Sequence, residues 1–370
     1  MLGRTDRSLL GVWWWTVDRA LLTAAILLMA IGILMVMAAS PPVATRISLP
    51  EMHFVWRQMV YLVPSAGAIF VLSMLSLRAI RIVSLLGLFG VLGLMSLTLL
   101  LGPEVKGATR WITIGPINLQ PSEFAKPLFA IVCAWLLSLW REGDDFPGWI
   151  WATALAGLIV TILILQPDVG MTIVFALTWG FQMFLAGMPW LLVVTAAAIA
   201  PLALIAAYFT LSHVKLRIDK FFDGGSMQSE LSIRSFADGG FFGVGPGDGQ
   251  IKHYLPDAHA DFIFSVAAEE YGLLVCLAII MLYGFVVLRG FDRAAARDNL
   301  FCLIAGAGLV MQFGIQAAIH IASSVDMIPT KGMTLPLISY GGSSLLASGI
   351  TIGMLLALTR QRRREGGLDG

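Results

Sequence analysis

The feature that most constrains this chain is the recurrence of apolar stretches about twenty residues long. A helix of that length crosses the hydrocarbon core of a bilayer. Of the 370 residues, 58% are hydrophobic and only 13% are charged, whereas soluble proteins carry roughly twice that share of charge. The sequence therefore predicts an all-α polytopic integral membrane protein. The net charge of +1 gives no basis for binding nucleic acid.

Ten stretches qualify as membrane spans, and together they predict one transmembrane domain. They cover approximately 19–39, 55–76, 80–101, 122–140, 149–165, 169–186, 190–210, 262–288, 300–322 and 342–359. A short segment, 1–18, precedes this domain of 19–359, and a polar tail, 360–370, follows it.

Basic residues are distributed unequally between the two sides of the predicted bundle. Thirteen arginines fall in the termini and short loops on one side. The short loops on the other side hold only Arg46, Lys106, Arg110 and Lys331. Because positively charged loops stay in the cytoplasm, both termini are predicted to be cytoplasmic. The outer face then consists of the loops 40–54, 102–121, 211–261 and 323–341.

The long outer loop holds eight glycines between Gly224 and Gly249, so a single continuous helix is not expected there. Its sequence GGFFGVGPGDG lacks the Gly-Lys-Ser/Thr ending of a nucleotide-binding P-loop. Two interpretations stay open: a flexible turn region, or a backbone that must approach a substrate closely. The three cysteines, Cys133, Cys276 and Cys302, lie inside predicted spans and behave as small apolar residues.

The same loop ends in YLPDAHADFIF, which brings Asp257, His259 and Asp261 against the start of a span. A partly desolvated carboxylate at Asp261 would take up a proton readily and suit a general base. Two alternatives are a helix N-cap and a metal cluster of these three side chains, although their spacing is not diagnostic of a metal site.

Charged side chains also lie inside the predicted spans, where they are costly unless they face the protein interior. Glu123 and Lys126 are three residues apart and share one helix face. Glu269 and Glu270 lie inside the eighth span with no basic neighbour in sequence. Each set is either a structural interhelical pair or part of a proton or substrate pathway. His320 is expected to be a hydrogen-bonded packing group.

The last outer loop continues as IPTKGMTLPLISYGGSSLL, in which two prolines predict a bent approach to the final span. Ser343 or Ser344 can cap that helix, and a helix N-terminus beside Lys331 predicts an anion site. Lys106 and Arg110 lie on the same predicted face. Lipid phosphates are the anions present at this depth, although ordinary snorkelling or surface charges are the simpler alternative.

The motifs YLPDAHADFIFSVAAEEYGL, GATRWITIGPINLQPSEFAK and PTKGMTLPLISYGGSSLL together resemble the shape, elongation, division and sporulation (SEDS) glycosyltransferases of bacterial cell-wall synthesis. The resemblance extends from about Asp18 to Arg360, and its last motif is more similar to the division branch than to the elongation branch. It implies a ten-span protein of the bacterial cytoplasmic (inner) membrane, acting at the division septum. The implied partners are lipid II and the growing glycan chain, a class B penicillin-binding protein, other divisome proteins and membrane lipid.

By this resemblance the catalytic carboxylate is Asp261, with Asp257 and His259 as positioning groups. The predicted substrate-binding residues are Lys106, Arg110, Lys331, Ser343, Ser344 and His259. The family's charged residues in the early outer loop and fourth helix correspond to Lys106, Arg110, Glu123 and Lys126. The sequence AIHIASSVD departs from the family pattern, as does Ala260. The resemblance therefore assigns no role to His320, Ser324 or Asp326.

The resemblance implies β-1,4 glycosyl transfer with inversion. Asp261 would deprotonate an acceptor sugar hydroxyl, and undecaprenyl diphosphate would leave, stabilised by Lys106, Arg110 and Lys331. No metal ligand is assigned, and a divalent cation, Mg²⁺ or Mn²⁺, is the one cofactor left open. The alternatives are an elongation-type polymerase, a lipid II flippase whose path is lined by the intramembrane charges, and a non-enzymatic division scaffold.

Overall fold

The computed structural model describes most of the chain. The described residues are 8–103, 109–115, 117–143, 145–191, 194–195, 202, 205–206, 208–210, 212–222, 227–329 and 332–360. Within them the fold is helical apart from one short antiparallel hairpin, in which Thr113 pairs with Asn118.

The helices that correspond to predicted spans come in the predicted order, whereas the two short strands and the shorter helices outside the spans were not predicted. The helices are α1 (Leu9–Thr16), α2 (Arg19–Arg46), α3 (His53–Met74), α4 (Leu77–Leu101), α5 (Pro121–Arg141), α6 (Gly148–Leu165), α7 (Val169–Leu185), α8 (Ser212–Phe222), α9 (Met227–Gly239), α10 (Ile263–Ala295), α11 (Leu300–Ser324) and α12 (Gly342–Thr359). The strands are β1 (Ile112–Ile114) and β2 (Ile117–Leu119).

Eight of the described helices, α2 to α6 and α10 to α12, are long and apolar enough to cross a membrane. They coincide with eight of the predicted spans, and α7 is a shorter apolar helix at the predicted span 169–186. The span predicted over 190–210 lies largely outside the described residues. The total of ten spans therefore stays a prediction, while the all-α polytopic fold is confirmed.

The interior of the bundle consists of α5, α11 and α12. In the most apolar part of these helices, 78%, 72% and 83% of the residues are buried, against 22% in α3 and in α4. A helix that is buried on all sides needs partners around it, so α5, α11 and α12 form the core and α3 and α4 lie at the periphery. The charged pair predicted on the fourth span is on α5, inside this core.

Helix α10 is interrupted at Gly272, which has φ 78° and ψ 178°. The interruption frees backbone groups on both sides, and the glycine-rich loop pairs with them. The N–H of Val244 donates to the Glu269 carbonyl at 2.9 Å, and the N–H of Leu273 donates to the Gly240 carbonyl at 2.9 Å. The glycines therefore let the loop backbone pack directly on the broken helix. A close approach of this backbone to a substrate stays a prediction.

A segment of irregular backbone, residues 332–341, enters the bundle from the predicted outer end before α12 begins; it is called the re-entrant segment. Its Leu337 carbonyl lies against the middle of α2, where a β-carbon on Gly32 would be only 2.6 Å away. The Tyr283 hydroxyl, near the middle of α10, donates to the Pro336 carbonyl. Irregular backbone at membrane depth is tolerated only where protein surrounds it, and α2 and α10 provide that surround.

Helices α3 and α12 pack with their backbones in contact along a glycine seam. A β-carbon on Gly349 would lie 2.4 Å from Ser65 Oγ, and one on Gly353 would lie 2.8 Å from the Ala68 carbonyl. Ser65 also donates to the Leu345 carbonyl at 2.8 Å. Small residues spaced four apart allow membrane helices to approach this closely. The seam therefore fixes α3 against the core.

Polar contacts at the two ends of the bundle join segments that the arginine distribution places on the same side. At the predicted inner end, Asp18 caps α2 and pairs with Arg289, at 3.1 Å, and with Arg293. At the predicted outer end, Arg46 donates to the His253 carbonyl at 2.5 Å. The orientation itself stays a prediction.

The break in α10 makes Gly272 a position where alanine should destabilise the protein. An added β-carbon would lie 2.4 Å from the Gly243 nitrogen, in a backbone conformation that disfavours L-residues. We expect Gly272→Ala to lower the free energy of unfolding by about 2 kcal/mol or more, seen as a lower thermal midpoint in detergent. Gly284→Ala is the matched control, because nothing lies within 4 Å of that site. Equal midpoints for the two variants would contradict the assignment of Gly272 as a structural break.

Candidate functional site

The turn that carries Asp261 lies against the re-entrant segment. Ser339 Oγ donates to the Ala260 carbonyl at 2.7 Å, and the Tyr340 N–H donates to the His259 carbonyl at 3.0 Å. A β-carbon on Gly332 would lie 3.2 Å from Asp261 Oδ2. The half-buried Asp261 carboxylate is therefore placed beside the backbone of the re-entrant segment.

Asp261 does not hold the capping position that was considered for it. Helix α10 begins at Ile263, and its N-cap residue is Phe262. The Asp261 N–H instead donates to the Asp257 carbonyl at 2.9 Å, which closes the turn before the helix. The carboxylate is thus directed by the turn and by the neighbouring segment.

His259 lies within an aromatic cluster formed by Phe54 and Tyr340. Its ring centroid is 4.3 Å from that of Phe54 and 4.9 Å from that of Tyr340. Burial lowers the pKa of His259 to about 4, although Asp257 opposes the shift. The imidazole is therefore neutral at physiological pH. Nδ1 of His259 is buried and has no hydrogen-bond partner among the described residues.

A buried polar network connects the intramembrane pair to the re-entrant segment. Lys126 Nζ lies 2.8 Å from Glu123 Oε2 and also donates to the Gln316 side-chain oxygen. The Gln316 amide donates to the Thr334 carbonyl at 3.0 Å. Thr334 Oγ1 in turn lies 2.5 Å from Ser344 Oγ. The Lys126 charge is thus balanced by Glu123 on the same helix. Through Gln316 on α11, this pair is hydrogen-bonded to the re-entrant segment, whose backbone lies beside Asp261.

Glu269 and Glu270 have partners that their sequence context did not reveal. Glu269 accepts hydrogen bonds from the backbone N–H groups of Gln250 and Ile251, at 2.5 Å and 2.7 Å. Glu270 pairs with Lys252 of the same loop. Both carboxylates therefore fasten the end of the glycine-rich loop to α10, and this loop runs on into the turn that carries Asp261.

The expected capping by Ser343 or Ser344 is wrong, because the N-cap residue of α12 is Gly341. Both hydroxyls have other partners. Ser343 Oγ accepts from the Gln120 N–H at 3.0 Å, while Ser344 bonds Thr334 as described above. Both serines are buried, so they tie the start of α12 to its neighbours.

Of the three predicted cationic residues, the structure describes only Arg110. Lys106 and Lys331 lie outside the described residues. Arg110 Nη1 is 3.2 Å from Asp168 Oδ2, and Asp168 also caps α7. His320 Nδ1 lies 2.7 Å from the Met333 carbonyl, which agrees with the expected packing role.

No group of three or more His, Cys, Asp or Glu side chains that could hold a metal ion occurs in the described part of the chain. The geometry of the 257–261 turn does not gather one, because His259 stacks between aromatic rings and Asp261 faces Gly332. A divalent cation stays a prediction from the family resemblance.

The sequence did not single out several residues that surround Asp261. Gln316, Thr334, Ser339 and Tyr340 all contact the site or its supports. One usable signal was the pair Gln312 and Gln316, two polar amides one turn apart in an apolar span, since such residues face the protein interior. The others are ordinary loop residues whose position depends on the fold.

The fold and the site define a class of protein: a helical polytopic membrane protein whose candidate site lies where a re-entrant segment meets an interrupted helix. The family model described as cell cycle protein, which covers FtsW, RodA and SpoVE, matches residues 18–364. The chain therefore belongs to the FtsW/RodA/SpoVE family, as the sequence motifs led us to expect.

Similar proteins extend over nearly the whole chain. The probable peptidoglycan glycosyltransferase FtsW of Caulobacter vibrioides is 42% identical over 373 residues, covering 99% of this chain and 95% of that protein. The corresponding protein of Idiomarina loihiensis is 35% identical and covers 94% of this chain and 88% of its own length.

Solved structures also match. A chain of a peptidoglycan synthase complex, solved in a study of how polymerization and crosslinking are coordinated, has a TM-score of 0.78 and 28% identity, covering 93% of this chain and 97% of that chain. The rod shape determining protein RodA of Thermus thermophilus has a TM-score of 0.70 and 26% identity, covering 94% and 97%.

Removing one partner of the buried Glu123–Lys126 pair should lower the stability of the protein more than removing both charges. Glu123→Gln leaves the Lys126 charge inside the core, which costs about 3 kcal/mol or more in free energy of unfolding. In the double variant Glu123→Gln with Lys126→Met, no unpaired charge remains, so much of the loss should be recovered. Denaturation of the single and double variants in detergent measures both. A double variant less stable than Glu123→Gln alone would contradict a mainly electrostatic role for the pair.

The neutral His259 predicts a specific pH dependence of stability. Because the pKa of His259 is lowered to about 4 in the folded protein and is about 6.5 when unfolded, only the unfolded state takes up a proton between these values. Stability should therefore fall as the pH drops from about 6.5 towards 4. Thermal midpoints at pH 7.5 and pH 5 should differ less in His259→Asn than in the wild type.

The control for this experiment is His253→Asn, because His253 is exposed and its removal should leave the wild-type pH dependence in place. An unchanged pH dependence in His259→Asn would show that burial of this imidazole does not determine the acid sensitivity.

Proposed function

We propose that this protein polymerises lipid II into peptidoglycan glycan strands. Its relatives over nearly the full length are named peptidoglycan glycosyltransferases. The observation that carries the proposal for this chain is the position of Asp261. A half-buried carboxylate stands at the end of a membrane helix, beside an irregular segment enclosed by protein, which is where a lipid-linked sugar can reach it.

In the proposed reaction the Asp261 carboxylate accepts the proton of the acceptor's GlcNAc 4-hydroxyl. The hydroxyl oxygen forms a bond to the anomeric carbon of the donor's MurNAc, and the bond from that carbon to the diphosphate oxygen breaks. Undecaprenyl diphosphate leaves with the electron pair, and the anomeric configuration inverts to β. A carboxylate within hydrogen-bond reach of the acceptor hydroxyl can take up its proton as the new bond forms.

The supports of Asp261 favour precise positioning of the base. The turn is joined to the re-entrant segment by Ser339 and Tyr340, and that segment is held through Thr334 and Gln316. Groups that are held before the substrate arrives lose little freedom in the transition state. We assign Glu123 and Lys126 a positioning role through this network rather than contact with substrate.

Stabilisation of the leaving diphosphate requires positive charge near the anomeric carbon. Lys106 and Lys331 are proposed for this role on the family resemblance alone. Arg110 is a weaker candidate than the sequence suggested, since Asp168 already neutralises part of its charge. Ser343, Ser344 and His259 shape the site instead, because protein neighbours surround them.

We further propose that the polymerase works at the outer face of the cytoplasmic membrane, at the division septum, with a class B penicillin-binding protein that crosslinks the new strands. The identity to FtsW proteins, 42% in the first relative, supports the division role over the elongation role.

The base assignment predicts a large loss of polymer synthesis in Asp261→Asn. Removing a general base lowers the rate by roughly 10²- to 10⁴-fold, measured as glycan formed from lipid II by the purified protein with its penicillin-binding partner. Asp238→Asn is the matched control, because it makes the same isosteric change at an exposed position of α9 that has no part in the proposed site. Near wild-type amounts of polymer from a folded Asp261→Asn protein would contradict the mechanism.

A second experiment measures lipid II translocation in sealed vesicles. Translocation that survives the Asp261→Asn substitution would favour a flippase.

A further inference from the structure

A cationic and aromatic cluster lies at the outer end of α3 and has no part in the mechanism described above. Arg57 is half-buried one turn into this helix, and its Nη2 donates to the Tyr61 hydroxyl at 2.9 Å. Its guanidinium carbon is 5.8 Å from the Tyr61 ring centroid. A guanidinium offers five N–H donors in a planar fork, which suits bidentate binding of phosphate oxygens.

Tyr340 joins this cluster to the candidate active site. Its ring contacts Phe54, at 5.0 Å between centroids, and the buried His259, at 4.9 Å. The Tyr340 hydroxyl is able to donate a hydrogen bond to an anion bound beside Arg57.

The N-terminus of α12 lies beside the same cluster. A β-carbon on Gly342, the first residue of α12, would be 2.8 Å from the Tyr61 ring, so the ring packs directly on the first turn. The first N–H groups of a helix lack partners within the helix and carry partial positive charge. This end of α12 thus adds a second, independent source of positive potential next to Arg57.

The cluster is open towards the surrounding membrane. Trp56, Val60 and Val63 flank it on α3 with exposed fractions of 70%, 66% and 72%. Large apolar side chains exposed on a membrane helix face lipid tails, and a tryptophan near the helix end lies at the headgroup level. A molecule that reaches Arg57 along α3 therefore comes from the lipid phase, with its headgroup at the outer end.

We propose that Arg57, Tyr61 and Tyr340, together with the first turn of α12, form a subsite for the diphosphate of the lipid-linked acceptor sugar. This inference rests on the proposed function, because a polymerase that joins two lipid-linked sugars must hold two diphosphates. The cluster is connected to Asp261 through His259 and Tyr340, so an acceptor held here presents its sugar towards the base.

The acceptor is the better assignment because its diphosphate keeps its bonds during the reaction. No covalent step occurs at this subsite, and the phosphate charge is the same in the ground state and in the transition state. An interaction of that kind contributes to binding and not to the chemical step. The donor diphosphate, which gains charge as it leaves, needs its cations next to the anomeric carbon.

The kinetic test measures glycan synthesis by the full-length protein with its penicillin-binding partner over a range of lipid II concentrations. In Arg57→Gln we expect the apparent KM to rise on the order of tenfold, which is the loss of one charge-assisted hydrogen bond, with kcat little changed. Arg57→Lys should lie between this variant and the wild type. Arg46→Gln is the matched control, since this outer-face arginine contacts only backbone carbonyls in the described structure. A KM for Arg57→Gln equal to that of Arg46→Gln, or a fall confined to kcat, would overturn the proposal.

A binding test separates the subsite from the reaction. The Asp261→Asn protein, with and without Arg57→Gln, is placed in nanodiscs that contain either lipid II or phosphatidylglycerol as the anionic probe, and bound lipid is counted by native mass spectrometry. We expect Arg57→Gln to reduce bound lipid II about tenfold and to leave phosphatidylglycerol unchanged. An equal loss of both lipids would assign the cluster to phospholipid headgroups and overturn the acceptor proposal, as would no loss of either. If the wild type synthesises no glycan, the proposed function fails, whereas this experiment still decides whether the subsite binds the diphosphate lipid.

Discussion

The rest of the structure depends on one constraint, which is that backbone polar groups within a membrane must find partners in the protein. The chain leaves helical geometry at two places inside the bundle. At Gly272 the freed groups of α10 pair with the glycine-rich loop. At residues 332–341 the irregular backbone is enclosed by α2, α10 and α11. Asp261 lies between these two places. The interrupted helix α10 begins two residues after it, and Gly332 of the re-entrant segment faces its carboxylate.

Much of the fold could be predicted from the sequence, because a bilayer imposes length and apolarity on every span. Those two properties are local, and they located eight helices to within a few residues, except where α2 and α10 extend further. The break in α10 was not predictable, since a single glycine in an apolar helix is common and its conformation depends on a loop that packs from outside. The partner of Glu270 was missed for the same reason, because Lys252 is near it only in the folded chain.

The site shows a similar division between local and long-range information. Asp261 could be singled out because it lies in a motif that resembles the family, in a polar loop next to an apolar span. The motif did not show what holds the carboxylate, since Gln316 on α11 and Thr334 in the re-entrant segment are far from it in sequence. The two serines at the start of α12 have the residue types of helix caps, yet Gly341 takes that position and the serines bind neighbouring segments. Residue type alone does not fix a role where several backbones meet.

The glycine seam between α3 and α12 has a consequence for the direction from which substrate arrives. Two helices whose backbones touch at Gly349 and Gly353 can neither roll nor slide past each other without a steric clash. The side of α3 that bears Arg57 therefore keeps a fixed orientation relative to α12. In the proposed function the acceptor lipid reaches its subsite from this side of the protein, and a partner protein bound elsewhere on the perimeter leaves that approach open.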